Sequence, residues 1–310
     1  MNRCRPEMTG RGGIMKKLIL IISAALLGLP PAAARAAAAA KPAPATPAAV
    51  SVSSGSAGAG LKPAPAKPVK PEVLLAGLKR QLEALFGALD QALSQAADEL
   101  GRTGLKGARA RKVLQDLCAS DPAIADCAAI DGKGVMVTVE PAAYKSFEGT
   151  DISAQEQVAE LRENRSPVLS KVFRTVEGFE AADMEYPVFS DGQFAGAVSA
   201  LLKPEAILQG LLAGEAQDPA LEAWLLQPDG RILYHADSAQ TGRLLFQDPA
   251  YKAFPGLLKL GKQMVSAEAG SGSAEFPGRA TEGPVKKEVL WTNIGVYGMQ
   301  WRLAVTKRAP

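Results

Sequence analysis

From Leu75 onward an apolar residue returns every third or fourth position: Leu75, Leu78, Leu82, Leu85, Leu89, Leu93, Ala96 and Leu100. That spacing predicts one long amphipathic helix. Pro71 suits its first turn and Glu72 the positive end of its dipole, while Gly101 and Gly104 end or interrupt it. A second helical stretch runs from about Leu105 to Leu117. The stripe fits packing along the helix's own domain and also fits a coiled coil through which two copies pair.

After Cys118 the period shortens. Ala128–Ile130, the turn Asp131-Gly132-Lys133-Gly134 and Val135–Val139 read as a hairpin. A polar helix follows over Ser153–Glu163, then a partly extended Pro167–Thr175. Strands at Met184–Phe189 and Phe194–Leu202 flank the turn Ser190-Asp191-Gly192-Gln193, and Pro204 opens a short helix, Glu205–Leu212. The plan then repeats: strand Ala223–Leu226, turn Gln227-Pro228-Asp229-Gly230, strand Arg231–His235, and loop and helix over Ser238–Met264. Strands at Ser273–Phe276, Glu288–Ile294 and Gln300–Thr306 complete it. Gly270-Ser271-Gly272-Ser273 reads as a flexible turn. The order predicts an α+β chain: a long N-terminal helix followed by two units of about 100 residues, each an antiparallel sheet flanked by helices. The boundaries are 72–118 for the N-terminal helices, 119–213 for the first unit, 214–219 for a connector and 220–307 for the second unit.

The N-terminal stretch, residues 1–71, is of another kind. Met15-Lys16-Lys17, the twelve-residue apolar run Leu18–Leu29, Pro30-Pro31 and small residues through Ala40 follow the plan of a secretory signal peptide. The run is shorter than the ~20 residues of a membrane span. An Ala-x-Ala site ends at Ala36, so 1–36 is read as a leader, with translation starting at Met15 as a variant and a retained anchor as the alternative. Residues 37–71 are mostly Ala, Pro, Ser, Gly and Lys, a linker without material for a core. Export predicts a periplasmic or secreted protein.

Charge changes the picture of partners. The chain carries +3, but residues 1–40 hold +5 and residues 41–71 a further +4, leaving −6 for residues 72–310. An acidic folded part gives no reason to expect nucleic acid. A single histidine, His235, and three cysteines exclude His-rich and Cys4 metal sites, and no metal or other cofactor is expected. No G-x-S-x-G, H-E-x-x-H or G-x-G-x-x-G supports an enzyme, so no catalytic residue is assigned. Cys118 and Cys127, nine apart, are read as a disulfide permitted by export, with two free thiols as the alternative.

Asp229-Gly230-Arg231-Ile232-Leu233-Tyr234-His235-Ala236-Asp237, with Gly242 and Leu245, resembles the central hairpin of Cache sensor domains, the extracytoplasmic relatives of PAS domains. Asp151-Ile152-Ser153, Pro167-Val168-Leu169-Ser170, Tyr186-Pro187-Val188-Phe189, Asp191-Gly192 and Gly196-Ala197-Val198 resemble Cache sequence in the first unit. A long helix followed by two such units is similar to the double Cache arrangement, over roughly residues 72–307. The resemblance implies PAS-like units, ligand sensing outside the cytoplasm without catalysis, and a signal passed to a membrane partner. With no kinase, cyclase or chemotaxis module after the last strand, it is closest to stand-alone secreted members. A structural or adaptor protein of the envelope is the alternative.

Arg162, Arg165, Ser166 and Ser170 form the strongest polar cluster, and a guanidinium matches a carboxylate or phosphate bidentately. The resemblance places this segment beside the pocket of the first unit. Asp183, Glu185 and Tyr186 approach from the next strand, where alternation sets the two acids on one face and Tyr186 on the other. The expected ligand is a small polar or acidic metabolite held by at least one arginine; solvated surface charges are the bland alternative. Amino-acid-binding members carry a Trp-Tyr step soon after a key arginine, and residues 151–213 contain no tryptophan. His235, Trp224, Trp291 and Trp301 read as structural.

Overall fold

The computed structural model describes residues 69–214, 218–278 and 283–310. The leader read over 1–36, the linker up to residue 68 and the middle of the connector lie outside the described residues. None of the described helices is long and apolar enough to cross a membrane.

Helix α1 spans Pro71–Thr103, and the chain turns at Gly104, whose φ of 86° a side chain would resist and whose N–H bonds Leu100 O at 2.8 Å. Its stripe is buried along the full length, with Leu78, Leu82 and Leu93 innermost and Leu75 and Leu85 at the margin. Helix α2 spans Gly107–Ala119. Two antiparallel sheets follow, so the fold is α+β. The first holds β1 (Ile124–Asp131), β2 (Met136–Glu140), β3 (Val168–Leu169), β4 (Phe173–Arg174), β5 (Glu180–Ser190) and β6 (Gln193–Leu202), in the order β2-β1-β6-β5-β3 with β4 on β5. Helix α3 (Glu156–Asn164) packs on it, and α4 (Pro204–Ala213) leads onward. The second holds β7 (Leu221–Leu226), β8 (Ile232–His235), β9 (Ala269–Phe276), β10 (Val285–Val296) and β11 (Met299–Arg308), in the order β8-β7-β11-β10-β9, with α5 (Pro255–Ser266) beside β9. Apart from β4, the two orders are the same.

The repeat extends to individual hydrogen bonds. Gly134 N bonds Asp131 O and Gly230 N bonds Gln227 O; Ile152 N bonds Gly134 O and Leu245 N bonds Gly230 O. Both glycines have φ of 92°, and a Cβ would strike Ser153 at 2.6 Å in one and Phe246 at 2.4 Å in the other. These bonds equate Asp131 with Gln227 and Gly134 with Gly230, and so Asp126 with Glu222.

Each sheet has two faces with different tasks. The outer faces share one core with α1, which takes Cys127, Ala129, Val198 and Ala200 from the first sheet and Leu225, Ile294, Trp301 and Leu303 from the second. Phe86 meets Trp301 edge-on, with ring centroids 5.5 Å apart. Each inner face closes over a core of its own. Cys118 and Cys127 form a disulfide that ties α2 to β1, with Cα atoms 5.8 Å apart. The short loop it closes contributes about 2–3 kcal/mol in the chain-entropy account.

Residues 270–273 correct one expectation: they are strand, paired with β10 from Val289 to Trp291 and beyond. Their glycines are needed for space. A Cβ on Gly270 would sit 2.3 Å from Trp291, and one on Gly272 2.5 Å from Leu260.

Candidate functional site

Strand register brings the polar residues of the first unit together. Asp126 on β1 and Asp183 on β5 both pair with Leu201 of β6, which lies between them. One step along, Ala128 and Glu185 both pair with Ser199. Cross-strand neighbours share a face. Asp126, Asp183, Glu185 and Ser199 therefore lie on the inner face, where the neighbouring core contains Ala128, Ile130, Val158, Leu161 and Val168. Gln157 comes from α3, and Thr175 and Glu177 from the loop between β4 and β5.

The three carboxylates are buried to 1% exposure or less. Asp183 is the best supplied: Ser199 Oγ donates to Oδ1 at 2.6 Å and Gln157 Nε2 to Oδ2 at 3.3 Å. Ser170 Oγ accepts the Asp183 N–H at 2.8 Å and fixes the backbone there. Both oxygens of Asp126 are buried without a hydrogen-bond partner, as are Thr175 Oγ1 and Glu177 Oε1, while the buried carboxyl of Glu185 has only another acid, Asp183, to bond when one of the two holds a proton. An unpaired carboxylate in such a place costs several kcal/mol, and a group so placed takes up a proton instead. Burial, then the charges of Glu177 and Asp183, pushes Asp126 up to about 8. Burial raises Asp183 to about 6, against the hydrogen bonds it accepts. Burial and the neighbouring Asp183 raise Glu185 well above the usual carboxylate range. Among the described residues no group of three His, Cys, Asp or Glu side chains is disposed to hold a metal ion. What the site lacks is a set of N–H donors.

The arginines stand elsewhere. Arg165 closes α3 in the left-handed region, φ 55°, is exposed, and holds its guanidinium 3.6 Å over the ring centre of Phe194. Ser166 is exposed too. Arg162 is half-buried, and its charge adds to the hydrogen bonds from Ser153 that hold Asp151 below its usual value. Ser170, Asp183 and Glu185 are brought together, whereas Tyr186 packs on the outer core. Asp126, Gln157 and Ser199 escaped the sequence reading. A strand begun at Ile124 instead of Ala128 would have shown Asp126 as an acid inside an apolar run.

Residues 84–204, from the middle of α1 to the start of α4, match the sensor-domain family of histidine kinases, guanylate cyclases and chemotaxis proteins. No curated protein matches the chain. Among solved structures, an extracellular ligand binding receptor from Desulfohalobium retbaense DSM5692 is 34% identical with a TM-score of 0.64; the match covers 76% of this chain and 40% of that one. The chain thus spans about two fifths of that receptor. The extracellular domain of the putative histidine kinase rpHK1S-Z16 has 18% identity and a TM-score of 0.58, with 76% and 90% covered. The ligand-binding domain of the Pseudomonas fluorescens chemoreceptor CtaA, solved with L-alanine, has 16% identity and a TM-score of 0.54, with 76% and 95% covered. At those identities the last two share the fold. The chain carries a Cache-like sensor domain.

Proposed function

We propose that the chain is the ligand-binding part of an extracytoplasmic sensor without catalytic activity, and that its first unit takes a small metabolite bearing an amine or another cationic donor. The observation that carries this reading is the cluster of three buried carboxyls, with both oxygens of Asp126 unpartnered and Glu185 met by another acid, Asp183. An ammonium group supplies what they lack: three donors and a positive charge. The Cache-like fold supports a sensing role, and the CtaA domain of the same fold was solved with L-alanine, which carries such a group. The leader read in the sequence fits export; transmission to a membrane partner and pairing through α1 complete the proposal.

The acids reverse the polarity expected from the arginine cluster, and the two polarities separate cleanly in solution. Primary amines, diamines, amino acids and dicarboxylates are screened by thermal shift on the full chain, and hits are measured by calorimetry. An amine-bearing ligand should bind, and Glu185→Gln or Asp126→Asn should weaken it tenfold or more. Because binding selects the ionised carboxylates, affinity should rise with pH between about 6 and 8, with protons released. A dicarboxylate that binds the wild type and is lost in Arg162→Ala would overturn the proposal.

A further inference from the structure

The second unit holds a cavity of its own, against the inner face of its sheet. Its volume is about 40 Å³. A water needs roughly 10–15 Å³ in this measure, so there is room for a molecule of about four or five non-hydrogen atoms. Ile232, Leu245, Leu257 and Phe276 form apolar wall. The polar wall holds the donors Trp224, His235 and Lys287 together with two carboxylates already engaged, Glu222 by Lys287 and Asp237 by Ala239 N and Gln240 Nε2. Trp224 is 2% exposed, and its indole Nε1–H is buried without a partner. His235 Nδ1 accepts the Asp237 N–H at 2.9 Å, which leaves the ring proton on Nε2 as a second donor. The two rings stand edge to face, 6.4 Å between centroids. Lys287, paired with Glu222, lines the same space.

We infer that this cavity is a second ligand site, for a short-chain monocarboxylate of the size of acetate or propionate. The carboxylate oxygens accept from Trp224 Nε1 and His235 Nε2, and the short alkyl end lies on the apolar wall. A buried donor left empty is destabilising, and an acceptor recovers that loss. Charge balance follows from the neighbours of His235. Burial holds the His235 imidazole below its ordinary value, Lys287 adds to that, and Glu222 and Asp237 work against it. An entering carboxylate tips that balance, so the anion arrives with a proton on His235. This site is separate from the acidic site of the first unit and does not depend on how that site is read.

The test is a titration of the full chain, labelled with nitrogen-15, using sodium propionate, followed through its three tryptophan indole N–H signals. The signal that Trp224→Phe removes should move downfield, and the other two should stay. Calorimetry should show proton uptake, and affinity at least tenfold weaker in His235→Gln. Hexanoate, too long for the cavity, should not compete. A Trp224 signal that does not respond, or that responds equally to acetamide, overturns the inference. So does propionate binding that His235→Gln leaves intact.

Discussion

Where β1 of the first unit carries Asp126, the equivalent place on β7 carries Glu222, and the two carboxylates meet different neighbours. The strand registers carry the equivalence across both sheets. Asp126, Leu201 and Asp183 correspond to Glu222, Thr306 and Val289. One step along, Ala128, Ser199 and Glu185 correspond to Trp224, Ala304 and Trp291. Glu222 is paired with Lys287, two residues before Val289. Two residues before Asp183 stands Ala181, fully buried. The second unit thus supplies the counter-charge for its acid from its own chain. The first has alanine there and adds two more acids to the same face. One unit of the scaffold holds acids without counter-charge and the other an acid with its counter-charge beside it, and a few inward positions decide which.

The largest test of this contrast is the stability of the free protein. Asp126 has a folded value raised to about 8, so the native state keeps a proton that the unfolded chain releases near pH 4. The associated stability is fully present below about pH 4 and is lost as pH rises through about 8. Asp126→Asn keeps the group neutral throughout. It should therefore be more stable than wild type by roughly 2–4 kcal/mol at pH 8 and indistinguishable near pH 4. Glu185→Gln should behave in the same direction. Urea denaturation at the two pH values measures this, and equal midpoints at pH 8 would mean that Asp126 already has a counter-charge.

A smaller effect is expected in the second unit, where the counter-charge is built in. Side-chain exposures of 15% for Lys287 and 22% for Glu222 make the pair mostly buried yet partly screened. Lys287→Met should cost about 1–3 kcal/mol, less than a fully buried pair would lose. Adding Glu222→Gln should recover most of it, as removing both partners removes the uncompensated charge. A neutral single variant would show that the lysine does not balance Glu222.

Much of this architecture was legible in the sequence because it is local. The three-and-four spacing gave α1, and Asp-Gly turns gave three hairpins, β1–β2, β5–β6 and β7–β8. Where reading failed, the cause was tertiary. Ala181 and Ala182 look unlike a strand, yet β5 begins at Glu180 because Phe173 and Leu202 supply partners. The start of α3 moves from Ser153 to Glu156 because Asp151 accepts the Ser153 N–H and turns the chain first. The acidic site was half visible: alternation placed Asp183 and Glu185 on one face, but only the register adds Asp126 from a strand more than fifty residues away. The sequence shows the chemistry of Arg165 and not the ring of Phe194 beneath it, which lies in β6.

That ring makes Arg165 the site of the smallest predicted effect. Arg165→Ala loses the stacking over Phe194, worth about 0.5–1 kcal/mol at an exposed position, and keeps a left-handed backbone. Arg165→Gly loses the same stacking but relieves a conformation that costs a non-glycine residue about 1 kcal/mol. The alanine variant should thus be slightly destabilised and the glycine variant close to wild type, by urea midpoint. Neither should change the affinity of an amine-bearing ligand by more than about twofold, since Arg165 touches none of the buried acids' known partners. A tenfold loss of affinity in both variants would return Arg165 to the binding site and erase the contrast between a first unit whose acids lack a counter-charge and a second whose acid has one.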